Sequence, residues 1–181
     1  RDFVHLRTMH NGKKLHVFSI HLKSNFLNPE ILKDGTKRPM KTQTELADGI
    51  IRSDFFRLSQ AKKLRQILDQ IFTEDPDAEV IVGGDFNDVE INSTVGIVMG
   101  KNQEAPDALI QTTKAIPKEK RFSGTGRGEV SLIDHILASK NLMSSLTSAR
   151  ILNENLSFHE NVAPTPTFPE SDHAPIVVEF N

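Results

Sequence analysis

The sequence predicts a layered α/β domain, in which strands and one long helix pack around a single core. Three observations support this fold class. Short apolar runs typical of strands recur along the 181 residues, residues 44–72 show helical periodicity, and polar clusters stand where the strands end. A chain of this length suits one domain, and no internal repeat, low-complexity tract or linker divides it.

The first two strands form a predicted hairpin. Residues Phe3 to Met9 alternate apolar and polar side chains, the pattern of a half-buried strand. Asn11-Gly12 follows, a strong signal for a two-residue hairpin turn, and Leu15 to Leu22 reads as the second strand. Residues 23–41 are polar and contain proline and glycine, so they form a long loop of the kind that is often functional or mobile.

The long helix is predicted from apolar residues at three- and four-residue steps. They are Leu58, Ala61, Leu64, Leu68 and Ile71. Asp75-Pro76-Asp77 ends the helix, and Val80-Ile81-Val82 reads as a strand covered on both faces. Further along the chain we expect a short helix at 91–100, a basic glycine-rich loop at 118–128, strands at 132–138, 147–152 and 174–180, and a proline-rich loop at 154–171.

Composition excludes several classes of protein. The net charge of -2 argues against a protein that coats nucleic acid through bulk positive charge, although it allows a local basic groove. The absence of cysteine excludes disulfide scaffolds, thiolate zinc sites and cysteine nucleophiles. Without Trp or Tyr, any stacking on bases falls to the 11 Phe. No apolar run is long enough to predict a membrane span.

Four polar clusters stand at predicted strand ends, where layered α/β folds bind ligands. They are Ser19 to Ser24, Gly84 to Asn87, Ser131 to His135 and Ser171 to Pro175. Taken singly, His21 is more often a hydrogen-bonded strand residue, and Asp85 and Asn87 suit a turn. Asp134, inside an apolar strand, requires a histidine or a metal as partner. The four clusters together make a chance arrangement improbable.

Three of these clusters resemble the signature blocks of the endonuclease/exonuclease/phosphatase superfamily. They are Gly84-Asp85-Phe86-Asn87-Asp88, Leu132 to Leu137 and Ser171 to Ile176. His21-Leu22-Lys23-Ser24 resembles the block of the deoxyribonuclease I branch that carries a phosphate-contacting histidine. The resemblance implies a deoxyribonuclease I-like α/β sandwich, with a mixed, mostly antiparallel sheet and helices on one face. Arg57, Gln60 and Ala61 resemble bacterial, often secreted nuclease-like members, which favours a secreted or periplasmic bacterial protein.

The resemblance also implies metal-assisted attack of water on a phosphate ester. Asp85 is implied to orient or deprotonate the water, Asn87 to hold the phosphate, and His173 to contact a non-bridging oxygen. Asp134 would hold a catalytic histidine or assist the leaving group, and His21 would be a second phosphate contact. The implied cofactor is Mg²⁺, with Mn²⁺ or Ca²⁺ as alternatives.

The metal ligands and the substrate contacts follow from the same resemblance. The predicted ligands are Asp172, Asp85 and Asn87. The predicted substrate contacts are His21, Lys23, Asn25, Asn87 and Arg127. Arg127 belongs to a basic loop with Lys118, Lys120 and Arg121, for which a solvated charged loop is an equally good reading.

Members of the superfamily begin with a further half-domain, which supplies an Asn and the Glu that is a principal Mg²⁺ ligand. Neither block stands in residues 1–181, so we expect one incomplete domain, its C-terminal portion. We also expect this chain alone to be inert, to bind Mg²⁺ weakly, and to cover an exposed sheet face with the missing half-domain or a second copy.

The leading interpretation is a Mg²⁺-dependent nuclease that cleaves phosphodiester bonds. A phosphatase or a phospholipid phosphodiesterase of the same superfamily is the first alternative. A non-catalytic binding module is the second, and the intact set of Asp85, Asn87, Asp134 and His173 argues against it. The sequence leaves the choice among DNA, RNA, phospholipid and inositol phosphate open.

Overall fold

A five-stranded mixed sheet and two helices form the centre of the molecule. The structure is a computed structural model that describes residues 3–27, 29–126, 129–154, 156 and 171–181. The helices are α1 Gln43–Glu74, α2 Ser93–Met99 and α3 Lys140–Met143. The strands are β1 Val4–His10, β2 Lys13–His21, β3 Glu79–Asp85, β4 Leu109–Gln111, β5 Gly124–Gly126, β6 Glu129–Ser131, β7 Asp134–Ser139, β8 Leu146–Ile151 and β9 Ile176–Phe180.

The central sheet has the strand order β1-β2-β3-β7-β4. The β2–β3 pair is parallel, and the other three neighbouring pairs are antiparallel. Two smaller antiparallel pairs, β5–β6 and β8–β9, complete the described strands. The predicted α/β class with a mixed, mostly antiparallel sheet is therefore confirmed.

The helices α1 and α2 cover one face of the sheet. Phe18, Val82 and Leu137 stand side by side on β2, β3 and β7 and are fully buried in the main core. The core stripe of α1 packs on this face, because its apolar residues recur on one side of the helix. That stripe contains Ala61, Leu64, Leu68, Ile71 and Phe72.

The opposite face of the sheet is more open than the sequence predicts for strands with continuous apolar runs. Leu6, Val17 and Ile81 lie in register across β1, β2 and β3. Leu6 is exposed, and Val17 and Ile81 are only half-buried. The helices cover one face of β3 completely, but its other face is only partly covered, so the expectation of cover on both faces is met on one face only. The association of the open face with another chain stays a prediction.

The ends of the long elements follow from local chemistry. In the hairpin, Asn11 and Gly12 both have positive φ, as a two-residue turn of the predicted kind requires. The helix α1 begins with a capping box, in which the Thr42 hydroxyl accepts from the Glu45 N–H and the Glu45 carboxylate accepts from the Thr42 N–H. Pro76 follows the last turn, and α1 ends at Glu74.

The predicted strand at 132–138 begins two residues later than expected. The Ile133 carbonyl accepts from the Phe86 N–H, and the Ile133 and Asp134 N–H groups both donate to the Ser123 hydroxyl. These bonds hold Ile133 outside the strand, so Asp134 stands at the beginning of β7 rather than inside it. The sequence did not predict the strands β4, β5 and β6, because three residues are too few to show alternation. The strand β5 lies within the loop predicted at 118–128. The predicted loop at 154–171 falls almost wholly outside the described residues.

Gly84 allows β3 to lie against β2 beside the polar cluster. Its φ is +139°, and a Cβ at this position would stand 2.0 Å from the carbonyl oxygen of Ile20. Only glycine fits such a conformation and such a contact without displacement of the neighbouring strand.

We expect Gly84→Ala to lower the free energy of unfolding by about 2–4 kcal/mol, because it adds both backbone strain and a steric clash. Gly96→Ala is the matched control, since Gly96 lies in α2 with nothing within 4 Å of its Cβ position. That control should leave stability unchanged or raise it by up to about 1 kcal/mol. Urea unfolding of the two variants measures the difference, and equal effects would contradict the proposed constraint at Gly84.

Candidate active site

Three neighbouring strands, β2, β3 and β7, bring polar side chains together at one end of the central sheet. His21 at the end of β2 stands in register with Asp85 at the end of β3, and Asp85 stands in register with Asp134 at the beginning of β7. Side chains in register on neighbouring strands point to the same face of a sheet. The predicted convergence of these residues is therefore a consequence of the sheet topology.

Asp85 is held by the residue two positions along the chain. Its carboxylate accepts from the backbone N–H of Asn87 and from the side-chain amide of Asn87, both at 2.7 Å. The same amide donates to the Leu22 carbonyl at 3.2 Å, and so joins β2 to the turn after β3. Asn87 adopts a left-handed backbone conformation with φ +52°, which asparagine tolerates better than most residues. The turn thus fixes the orientation of the Asp85 carboxylate.

The environment of Asp85 favours a carboxylate that can accept a proton. Burial raises the pKa of Asp85 above its ordinary value, and the nearby Asp134 adds to the increase, while the Asn87 N–H opposes it. His21 Nε2 lies 3.4 Å from Asp85 Oδ2, and the His21 side chain is largely exposed. A general base needs a pKa closer to the working pH than that of a free carboxylate, and burial moves Asp85 in that direction.

Asp134 and His173 form a close pair. His173 Nδ1 donates to Asp134 Oδ2 at 2.7 Å, across 39 positions of the chain. The Ser123 hydroxyl donates to the same carboxylate oxygen at 2.8 Å and accepts from the Asp134 N–H. The backbone bridge between Gly124 and His173 holds the histidine segment beside this point.

The pair keeps His173 protonated. The hydrogen bond to Asp134 raises the pKa of His173 from 6.5 to about 9, against the opposing effect of burial. At neutral pH the ring is therefore an imidazolium, with Nδ1–H on Asp134 and a second N–H on Nε2. A cation held this way can stabilise negative charge on a phosphoryl oxygen.

Asp85, Asp134 and His173 offer ligand atoms that all lie within 4.8 Å of one another. The two carboxylates are the hard oxygen donors that Mg²⁺ prefers, and a cation between them would relieve their mutual repulsion. Asp85 and Asp134 therefore fit a divalent metal by donor type. His173 fits less well, because its Nδ1 is hydrogen-bonded to Asp134 and its ring is protonated.

The remaining predicted residues differ in where the structure places them. Asp172 is exposed beside His173, and its backbone carbonyl accepts from the Thr125 N–H at 3.3 Å. Lys23 directs its ammonium group to the Ser53 hydroxyl and the Phe26 carbonyl. Asn25 is exposed on the loop after β2. Arg127 lies outside the described residues.

The structure adds two features that sequence reasoning missed. One is Ser123, which is fully buried and bonds to Asp134; its only signal was its place beside Gly124 in the glycine-rich loop. The other is a buried chain of side chains behind the turn. His135 Nε2 donates to the Asp88 carbonyl at 2.9 Å, and Gln111 Nε2 donates to His135 Nδ1 at 3.2 Å. Burial lowers the pKa of His135, which agrees with a neutral ring in these roles.

The sequence matches a profile described as Endonuclease/Exonuclease/phosphatase family over residues 44–162, which is more than half of the chain. The chain belongs to this family. The matched range contains Asp85, Asn87 and Asp134. Family members generally use divalent metals, which agrees with the carboxylates of Asp85 and Asp134 as possible metal ligands. Among curated proteins, none matches the chain significantly.

Solved structures of family members share the fold. The Neisseria 3′ phosphatase NExo bound to product DNA hairpin has a TM-score of 0.57 at 14% identity, with 98% of this chain and 64% of that chain covered. Truncated TDP2 from Caenorhabditis elegans has a TM-score of 0.56 at 16% identity, with 95% and 56% covered. The mannosyl-6-phosphatase of Bacteroides thetaiotaomicron has a TM-score of 0.53 at 19% identity, with 99% and 55% covered. The chain thus spans less than two thirds of each of these structures, and the likeness concerns the fold.

Proposed function

We propose that this family member is a metal-dependent phosphodiesterase, with nucleic acid as its leading substrate. The observation that carries the proposal is the meeting of a half-buried carboxylate, Asp85, with the Asp134–His173 pair at one end of the sheet. A proton acceptor beside a fixed imidazolium suits attack by water on a phosphate ester. Hydrolysis of a phosphoester is the chemistry that the family description shares with this arrangement.

In the proposed reaction, Asp85 takes a proton from the attacking water while the water oxygen forms a bond to phosphorus. The bond to the ester oxygen breaks on the opposite side, and that oxygen leaves with the bonding electron pair and takes a proton from solvent water. Asp85 then returns the proton it gained to the solvent, which restores the carboxylate. Asn87 keeps the Asp85 carboxylate in place through its two hydrogen bonds. The raised pKa of Asp85 supports this role, because a more basic carboxylate removes a proton from water more readily.

His173 is proposed to bind a non-bridging phosphoryl oxygen through its Nε2–H. Asp134 fixes the ring through Nδ1 and keeps it positively charged, as a carboxylate does for a catalytic histidine in other hydrolases. His21, exposed and 3.4 Å from Asp85, is placed to contact the phosphate from the other side. Preorganised donors that bind the developing charge usually lower the barrier of such a reaction more than any other group in the site.

A bound divalent cation would polarise the phosphoryl oxygen and neutralise charge in the transition state. The chain offers the Asp85 carboxylate and the Asn87 side-chain oxygen as ligands, and we propose Asp172 as a third. Asp134 is the alternative to Asp172, because its carboxylate already lies in the group of three. Mg²⁺ is the proposed ion, with Mn²⁺ or Ca²⁺ as substitutes.

Nucleic acid leads as the substrate for a specific reason. The Neisseria 3′ phosphatase NExo shares the fold, and its structure contains a product DNA hairpin. The mannosyl-6-phosphatase shares the same fold, so a phosphomonoesterase is the alternative, and a phospholipid phosphodiesterase is the other. Within the part of the chain that the structure describes, no helix combines the length and apolarity that a membrane span needs.

The test compares substrates in parallel. The full-length natural protein is incubated with single- and double-stranded DNA, RNA, phospholipid vesicles, inositol phosphates and a sugar phosphate, and released products are measured. Turnover of DNA or RNA above all others supports the nuclease. Turnover confined to a phosphomonoester or a phospholipid supports the corresponding alternative, and no turnover of any substrate supports a binding module.

Removal of the metal is expected to abolish hydrolysis. EDTA should reduce turnover to the background rate, and excess Mg²⁺ should restore it, because the metal carries the charge that the side chains leave uncompensated. Isothermal titration of Mg²⁺ into the active protein provides a readout independent of activity, and Asp85→Asn should weaken the measured binding. Full activity in EDTA would contradict the proposed cofactor.

A further inference from the structure

The buried stripe of α1 changes character along the helix. Toward the C-terminal end it carries apolar residues that pack on the sheet, such as Leu64 and Leu68. Toward the N-terminal end the same side of the helix carries Arg57 and Ser53, which are only 6% and 1% exposed. Steps of four and seven residues place all of these on one side of a helix. A buried arginine and a buried serine need polar partners, because polar groups are costly to bury unpaired.

The partners are backbone groups of the segment that follows β2. The Ser53 hydroxyl donates to the Ser24 carbonyl at 2.8 Å. Arg57 Nη1 donates to the Lys23 carbonyl at 3.2 Å. Gln60, three residues further along α1, accepts from the Lys23 N–H through its Oε1 at 2.8 Å. Three polar side chains of the helix therefore hold the chain at the point where it leaves the sheet.

The residue just before Lys23 is held from the other side, by the proposed catalytic turn. The Leu22 N–H donates to the Asp85 carbonyl at 2.9 Å, and the Leu22 carbonyl accepts from the Asn87 side-chain amide at 3.2 Å. The same amide donates to the Asp85 carboxylate at 2.7 Å. All four backbone polar groups of Leu22 and Lys23 are thus bonded, the first pair to the end of β3 and its turn, and the second pair to α1.

Arg57 also faces that turn directly. Its Nε stands 3.8 Å from Oδ2 of Asp88, and both side chains are more than nine-tenths buried. A buried guanidinium and a buried carboxylate at this distance compensate each other's charge. Asp88 directly follows Asn87, and its carbonyl accepts from His135. The arginine therefore lies between the chain that follows β2 and the chain that follows β3.

We propose that Arg57 and Gln60 are positioning residues for the proposed hydrolysis of a phosphate ester, and the inference rests on that function. The two side chains fix the backbone of Lys23 against α1. The adjoining Leu22 then presents its carbonyl to the Asn87 amide, whose other bond orients the carboxylate of the proposed general base. A displacement of reacting groups by about 1 Å can lower a rate about 10²-fold, so this contact affects turnover although it touches no substrate.

Substitutions at position 60 separate the hydrogen bond from the presence of a side chain. In Gln60→Leu a side chain of similar length remains, but the Lys23 N–H loses its acceptor and is better satisfied by turning toward water. In Gln60→Glu an oxygen acceptor remains at the same place. Gln66→Leu is the matched control, because it makes the same change at an exposed position of the same helix.

The first measurement requires no activity. It is the rate at which the Asn87 side-chain amide of the full-length natural protein exchanges its protons with water, followed by NMR. In the wild type both bonds of this amide should make the exchange slow. In Gln60→Leu the exchange should be about three- to tenfold faster, as expected for one weakened hydrogen bond, while Gln60→Glu and Gln66→Leu should retain the wild-type rate.

Arg57→Lys should act in the same direction as Gln60→Leu. A lysine keeps a positive charge beside Asp88, but it lacks the fork with which the guanidinium also reaches the Lys23 carbonyl. The exchange of the Asn87 amide should therefore be faster in this variant as well.

Turnover then measures the consequence for the proposed reaction. Gln60→Leu should lower kcat on the best substrate about 10- to 100-fold with a smaller change in KM, because the placement of reacting groups matters most in the transition state. Gln60→Glu should restore most of kcat, and Gln66→Leu should leave it unchanged. A residue that only stabilises the fold would lower the melting temperature and leave kcat unchanged wherever the variant is still folded.

A double-mutant cycle identifies the route. Since Gln60 is proposed to act through Asn87, Gln60→Leu combined with Asn87→Ala should lower kcat little more than Asn87→Ala alone. Effects that multiply would show that the two residues act independently, and would overturn the inference.

The exchange measurement distinguishes failure of this inference from failure of the proposed function. If exchange depends on position 60 but no substrate is hydrolysed, the positioning stands and the proposed function fails. If a phosphate ester is hydrolysed but exchange is the same in Gln60→Leu and the wild type, the positioning is overturned and the function stands. Rapid exchange in the wild type would also overturn it, and that result needs no variant to fold.

Discussion

Replacement of Asp85 by asparagine is expected to reduce turnover by about 10²–10⁴-fold, the usual contribution of a positioned general base. The amide has nearly the same shape as the carboxylate, and its one oxygen can still accept from the Asn87 N–H, but it takes up no proton. The fold should survive, because the Asn87 contacts lie at the rim of the sheet rather than in the core. Single-turnover kinetics on the best substrate of the full-length protein provide the measurement.

The matched control for this substitution is Asp77→Asn, the same chemical change at an exposed residue between α1 and β3. It should leave turnover within a factor of about two, as expected for a surface change remote from the site. Near-normal activity of Asp85→Asn would remove this carboxylate from the mechanism. A similar loss in both variants would point to a general defect of the preparation.

The second large effect concerns the Asp134–His173 pair and its pH dependence. In the wild type, turnover should fall as the pH rises through about 9, because His173 then loses its proton. Asp134→Asn replaces the charged acceptor that raises the pKa of His173 by a neutral amide, so the alkaline fall should move toward 6.5. At a pH between these two values the variant should therefore lose most of its imidazolium, and with it the donor to the phosphoryl oxygen.

Two measurements separate this explanation from mere loss of structure. The ring of His173, followed by NMR, should titrate near 9 in the wild type and well below that in Asp134→Asn. Since the folded-state pKa exceeds the ordinary value of 6.5, the pair stabilises the fold fully below pH 6.5, and this stabilisation is lost between 6.5 and about 9. The stability difference between wild type and variant should shrink over that window. A titration of His173 that the substitution does not change would contradict the assigned partnership.

Periodicity and turn chemistry were sufficient to predict the long elements. Asn11-Gly12 determined the hairpin because few other dipeptides adopt two positive φ angles, and the stripe of α1 reflects burial on one side. The short strands β4 and β6 carried no such signal, since their pairing depends on neighbours distant in sequence. The beginning of β7 also escaped prediction, because Ser123 takes the N–H groups that would otherwise extend the strand.

In the candidate site too, some features could be predicted from the sequence and others could not. The motifs predicted that Asp85, Asn87, Asp134 and His173 would lie together, and the structure brings them to one end of the sheet, while their roles stay predictions. Lys23 shows the limit of that reasoning. A lysine beside a phosphate-contacting block suggests a substrate contact, yet its long side chain reaches Ser53 on α1 instead. Side-chain direction over several rotatable bonds depends on tertiary neighbours, which a local motif leaves undetermined.

The parallel pairing of β2 and β3 has a consequence for how the protein becomes active. The amide of Asn87 meets the carbonyl of Leu22 across 65 positions of sequence, and the whole of α1 lies between them. Closure of so long a segment is entropically costly and slow compared with helix or hairpin formation. The hairpin and α1 can therefore form while the carboxylate and the histidines are still apart. Such an order keeps the proposed hydrolytic centre from assembling until the sheet has closed, so partly folded molecules would lack the arrangement on which the proposed activity depends.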